Sequence, residues 1–134
     1  MKFVLMMHAK LGTGDWDIFK WKPEEIQAHL AYWKSLNTEL RDAGEFVSVE
    51  ALAGPGEAKV VRVGKGGLPV TDGVFPETKE FLAGYWIVDV DSEARALEIA
   101  AEASMAPGPG GAPMHMALEV RQVMSGPPEE FAKK

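Results

Sequence analysis

Phe3, Leu5 and Met7 alternate with Val4, Met6 and His8, so Lys2 to His8 is apolar at nearly every position. That pattern predicts a strand with no polar face. A loop follows through Leu11-Gly12-Thr13-Gly14-Asp15, with Trp16, Phe19 and Trp21 clustered after it. From Pro23 onward the apolar spacing changes to steps of three and four. Ile26, Leu30, Trp33, Leu36 or Asn37, and Leu40 define the inner face of a helix. Pro23 suits its first turn, and Glu24 and Glu25 place negative charge at its positive end. Gly44 is the left-handed residue that stops the helix after about Ala43.

Phe46–Leu52 reads as a second strand, broken by Ala53-Gly54-Pro55-Gly56, and Ala58–Val63 as a third. Gly64-Lys65-Gly66-Gly67 turns the chain into a short strand at Leu68–Thr71, which makes a hairpin. Phe81–Val90 is the next strand, with Tyr85, Trp86, Ile87 and Val88 at its centre. Asp91 or Ser92 can cap a second, Ala-rich helix through about Ser104. Met105–Pro113 is a Pro/Gly loop, and Met114–Met124 the last strand. Residues 1–124 read as one domain with no internal repeat, and Ser125–Lys134 as a polar tail.

The order is β-α-β, an inserted hairpin, then β-α-β. It predicts an α+β, ferredoxin-like split βαβ sandwich, with both helices on one face of an antiparallel sheet. The other face is then uncovered and should show polar alternation. It does not. Val4 and Met6 oppose the Phe3 set, and Tyr85 and Ile87 oppose Trp86, Val88 and Val90. A sheet that is apolar on both sides, with helices for only one, predicts a homodimer with the sheets face to face.

Composition narrows the chemistry. With no Cys in 134 residues, a disulfide scaffold, a thiolate metal site and a Cys nucleophile are all excluded. Fourteen Lys and Arg against 20 Asp and Glu give a net charge of −6, which argues against nucleic acid and anionic membrane as partners. No apolar run reaches the roughly 18 residues of a membrane span. No small-residue cleavage site follows Met1–Met7, so the expectation is a cytoplasmic protein. The histidines at 8, 29 and 115 have no metal-ligand spacing, and neither a metal nor a cofactor is expected. Gly64-Lys65-Gly66-Gly67 lacks the ending of a phosphate loop and joins strand to strand.

The segment Val70-Thr71-Asp72-Gly73-Val74-Phe75-Pro76-Glu77-Thr78-Lys79-Glu80 resembles the T-D-G-P-F-x-E-T-K-E signature of the YCII-related (DGPF-domain) family. Ala28-His29-Leu30 with Trp33, Arg41-Asp42-Ala43-Gly44, Val61-Arg62-Val63, Gly84-Tyr85 and Leu118-Glu119-Val120-Arg121 extend the likeness over residues 1–124. The resemblance implies a ferredoxin-like fold that dimerises as an α+β barrel, the architecture that the strand pattern predicts independently. The chain departs from the signature at Val74, where Pro is usual, and at Pro76, where a small residue is usual. The residue forced extended before Pro is thereby moved from Gly73 to Phe75. In simpler members a histidine on the first helix pairs with an aspartate just after the second. His29 matches the histidine, whereas Ala103-Ser104-Met105-Ala106-Pro107 offers no aspartate.

His29 lies three residues after Ile26 and four before Trp33, beside the apolar stripe. Partial desolvation there favours a neutral imidazole, which can serve as a base or can simply be satisfied by one hydrogen bond. Asp72 either closes the Thr-Asp-Gly turn through its carboxylate or accepts a proton. His29 and Asp72 are thus the candidate catalytic residues. Trp33, Phe75, Glu77, Lys79, His115 and Arg121 are the candidate substrate-binding ones. The last strand places His115, Glu119 and Arg121 on one face, opposite Met114, Met116, Leu118 and Val120. That polar set either lines a small-molecule cleft between protomers or forms ion pairs across the dimer.

Two classes of function fit these residues. One is a dimeric enzyme that moves a proton on a small organic acid or ring compound, with elimination or hydrolysis. The other is a non-catalytic dimer that binds a ligand or a protein in a regulatory setting, in keeping with the association of family members with extracytoplasmic-function sigma factors.

Overall fold

The computed structural model of the chain describes residues 1–10, 18–72 and 80–124. Its main elements are β1 (Lys2–Lys10), α1 (Pro23–Asp42), β2 (Phe46–Ala51), β3 (Val60–Val63), β4 (Pro69–Asp72), β5 (Glu80–Asp89), α2 (Glu93–Ser104) and β6 (Leu118–Gln122). Four strands form one antiparallel sheet in the order β2-β5-β1-β6, and β3 and β4 form a separate hairpin. The β1-α1-β2 and β5-α2-β6 units interleave, which is the α+β, ferredoxin-like arrangement that the element order predicts.

Local chemistry sets the helix ends. The Lys22 backbone N–H donates to the Glu25 carboxylate at 3.0 Å, which satisfies a donor just before Pro23 opens α1. At the other end Gly44 adopts φ +74°, and its N–H bonds the Arg41 carbonyl at 3.0 Å. Glu45 N–H then bonds the Leu40 carbonyl at 2.8 Å, which completes a Schellman closure. Ser92 caps α2 by accepting the Arg95 N–H at 3.2 Å.

The inner face of α1 differs from the expected stripe at one position. Leu30 is 49% exposed, whereas His29, Leu36 and Leu40 are buried. At 100° per residue His29 lies about 20° from Leu36 and Leu30 about 120° from it, so the imidazole takes the inward place. Phe3, Leu5 and Met7 of β1 and Trp86 and Val88 of β5 meet this face and the small residues Ala96, Ala100 and Ala103 of α2. Trp86 is 1% exposed, and its indole N–H donates to Asn37 Oδ1 at 2.8 Å.

Among the described residues the opposite face of the sheet carries no helix. Val4 and Met6 of β1 and Tyr85 and Ile87 of β5 are half-buried there, and register pairs Val4 with Ile87 and Met6 with Tyr85. On the β6 side Arg121 aligns with Val4 and Glu119 with Met6. On the β2 side Ser48 aligns with Ile87 and Glu50 with Tyr85. The open face is therefore an apolar strip, two strands wide, between two polar margins.

The last strand begins later than alternation predicts, at Leu118 rather than Met114. The Met114 N–H turns back to the Ala106 carbonyl at 2.9 Å, and Pro107 bridges Pro113. His115 sits at φ +51°, in the left-handed region, which interrupts a strand. Among the described residues no helix is long and apolar enough to cross a membrane.

Candidate functional site

His29 occupies the first half of α1, where it faces inward and is 1% exposed. Its Nδ1 lies 2.9 Å from the carbonyl oxygen of Pro107, in the loop that follows α2. A carbonyl can only accept, so Nδ1 carries the proton and the ring is the Nδ1–H tautomer. The imidazole is held between two indoles: Trp21 packs edge-on with ring centres 5.2 Å apart, and Trp33 at 4.0 Å. Trp33 in turn meets Trp86 at 5.3 Å, so four rings run from the start of α1 into the core. Burial holds the His29 pKa below the ordinary histidine range, against an opposing contribution from the Pro107 bond. Trp33 adds a buried indole N–H that meets no acceptor among the described residues.

The same helix grips the loop a second time. The Glu25 carboxylate accepts the Gly110 backbone N–H as well as that of Lys22, and those two bonds hold it below the ordinary carboxylate range. Glu25 and His29 are four residues apart and so lie on one side of α1. Together they fasten the 105–113 segment to the helix, while Ser104 Oγ donates to the Met116 carbonyl at 2.8 Å beyond it.

A second histidine makes a different contact. His8, on the uncovered side of β1, places Nε2 3.0 Å from Glu119 Oε1 on β6, with both side chains partly solvent-accessible. This pair stands at the margin of the apolar strip. An imidazole fixed against a carboxylate is an arrangement suited to proton exchange. The sequence places His8 and Glu119 on the uncovered faces of their strands. Their contact, across 111 positions, follows only from the pairing of β1 with β6.

The remaining candidates are dispersed. Arg121 is exposed on β6, one register step along the polar margin from Glu119. His115 is exposed, but it lies before β6 and in left-handed backbone, so the strand parity that grouped it with Glu119 and Arg121 does not apply. Asp72 closes β4, paired in register with Val60 and remote in topology from His29. Phe75, Glu77 and Lys79, with the substituted positions Val74 and Pro76, lie outside the described residues, as does Trp16.

A cleft of about 480 Å³ opens at the root of the β3–β4 hairpin, walled by Leu52, Pro55, Val60, Phe81 and Leu82 with Glu57 and Glu80 in its lining. Of the candidate residues that are described, none is in its lining. Among the described residues no group of three or more His, Asp or Glu side chains could hold a metal ion.

One family model, described as the YCII-related domain, matches residues 1–110, which is most of the chain. Among curated proteins no sequence matches it.

Proposed function

This chain belongs to the YCII-related domain family, and from that premise we propose that it works as a homodimer holding a small organic molecule between its sheets and moving a proton on it. The observation that carries the reading is the open sheet face. Val4, Met6, Tyr85 and Ile87 form its apolar floor, with the His8–Glu119 pair at its margin. Covering that floor completes the burial of four half-buried apolar side chains, each gaining roughly half of the 1.5–3 kcal/mol that full burial gives. The margins, with Ser48 and Glu50 on one side and Glu119 and Arg121 on the other, supply the polar contacts that orient a ligand.

In this reading His8 exchanges the proton and Glu119 orients its ring. The ligand is a small carboxylic acid or ring compound, flat enough to lie on the strip and carrying an ionisable edge that Arg121 can meet. His29 serves the site indirectly by fixing the 105–113 loop, because its ring is enclosed by Trp21 and Trp33. That same enclosure favours a second reading, in which the cleft binds its ligand without chemistry.

A thermal-shift screen of small organic acids and ring compounds tests binding, since a ligand selective for the native state raises apparent stability. Hits are then followed by NMR for exchange of their acidic C–H protons with deuterated water. Exchange that is catalysed by the wild type and lost in His8→Gln supports proton transfer. Binding without exchange supports the second reading. A screen in which Met6→Glu leaves every hit's shift unchanged places the ligand elsewhere and contradicts both.

A further inference from the structure

The β3–β4 hairpin is a sheet of its own. Its strands pair with each other and with no other strand among the described residues. A lone two-stranded hairpin is marginally stable in water, so it depends on something to pack against. Val63 is 74% exposed, Leu68 68% and Val61 57%, a density of exposed apolar side chains found nowhere else in the described chain. Register places Val61 opposite Thr71 and Val63 opposite Pro69, so these four share one face of the hairpin.

We propose that this hairpin is an exchange arm, which packs its apolar face on the body of a second copy of the chain at the rim of the sheet-to-sheet interface. The inference rests on the homodimer reading above and adds to it where the arm goes. Charge selects the occupant. Between Ala58 and the end of β4 the sequence holds Lys59, Arg62 and Lys65 against the single carboxylate Asp72, a local charge of +2. The whole chain has 14 basic and 20 acidic residues, so the remainder holds 11 and 19 and carries −8. Arm against arm would bring like charges together, whereas arm against body brings opposite charges together and guides the docking.

Position agrees with this. The chain leaves the sheet at Ala51, the end of β2, and β2 is an edge strand. An arm rooted at that edge lies beside the partner once the two open faces meet, on the side where β2 of each copy carries the exposed Glu50.

The absence of Cys makes the test direct. Val63→Cys creates a single thiol at an exposed position, to which a benzophenone is coupled. The labelled chain is mixed with heavy-nitrogen wild-type chain, exchanged and irradiated, and the cross-linked peptides are identified by mass. The expected result is cross-links from light to heavy chains that land on β2, β5 or β6. In a sample that sediments as a dimer, cross-links confined to the arm's own chain overturn the arm and leave the dimer reading standing. A sample that sediments as a monomer overturns both. As a second measurement, Val61→Ser with Val63→Ser, and separately Lys65→Glu, should each weaken dimerisation about tenfold, or ~1.4 kcal/mol. Dissociation constants that stay within about twofold of wild type, under 0.5 kcal/mol on the same scale, contradict the proposal.

Discussion

The Nδ1–H of His29 donates to the carbonyl oxygen of Pro107 across 2.9 Å, joining the first half of α1 to the loop after α2. With the Glu25–Gly110 contact four residues earlier, it makes that loop part of the helix surface. His29→Ala removes a buried ring from between two indoles and leaves the Pro107 carbonyl unpaired. A loss of about 2–4 kcal/mol is expected in urea unfolding. A loss under about 1 kcal/mol, the range of surface substitutions, would show that His29 is not the structural tie described here.

The same residue sets a pH dependence. Burial lowers the folded-state pKa of His29 from the ordinary 6.5, so on acidification the unfolded chain binds the proton first. Its contribution to stability is complete above 6.5 and is lost as pH falls from there through the lower folded value. Unfolding free energy measured from pH 7.5 downward should therefore decline below about 6.5, and His29→Gln should flatten that decline. Glu25, held low chiefly by the Gly110 N–H, and Glu45, held low chiefly by Arg95, act in a separate window. Their stabilisation is lost only as pH falls below 4.5 through their depressed folded values. A wild-type profile with no slope between pH 7 and 5 would contradict the assignment to His29.

Trp86 is the largest fully buried side chain among the described residues, and Asn37 satisfies its indole N–H at 2.8 Å. Asn37→Ala strands that donor in the core and should cost about 1–3 kcal/mol. In a Trp86→Phe background, where there is no donor to strand, the same substitution should cost much less. A double-mutant cycle reads the difference, and additive losses would show that the bond contributes nothing.

The open face makes a prediction about assembly. Met6 and Ile87 project away from the helices, so Met6→Lys with Ile87→Lys leaves the packing around Trp86 and Leu5 untouched. The double variant should fold, as near-ultraviolet circular dichroism would show, but should weaken self-association at least about a hundredfold, or ~2.7 kcal/mol. Association at wild-type strength would place the dimer contact elsewhere.

What the sequence revealed follows from period. The two faces of β1 were legible because parity along a strand assigns every side chain at once. Gly44, and the Asp91-Ser92 pair of which Ser92 is the cap, marked helix ends because their chemistry is local. The inner face of α1 was misassigned at Leu30, since hydrophobicity ranks Leu above His and says nothing of the Pro107 carbonyl waiting for a donor. The start of β6 was misplaced because Met114 to Ala117 alternates like a strand, whereas the Met114 N–H bonds Ala106 and His115 takes left-handed backbone, neither of which alternation reports. The His8–Glu119 pair and the Trp86–Asn37 bond join residues 111 and 49 positions apart. They exist only once the strand order is known.

The homodimer is the claim from which the cleft, the His8–Glu119 site and the exchange arm all depend, and sedimentation equilibrium of the wild-type chain at micromolar concentration tests it most directly. The account predicts a particle of twice 14.6 kDa. A particle of 14.6 kDa would contradict it.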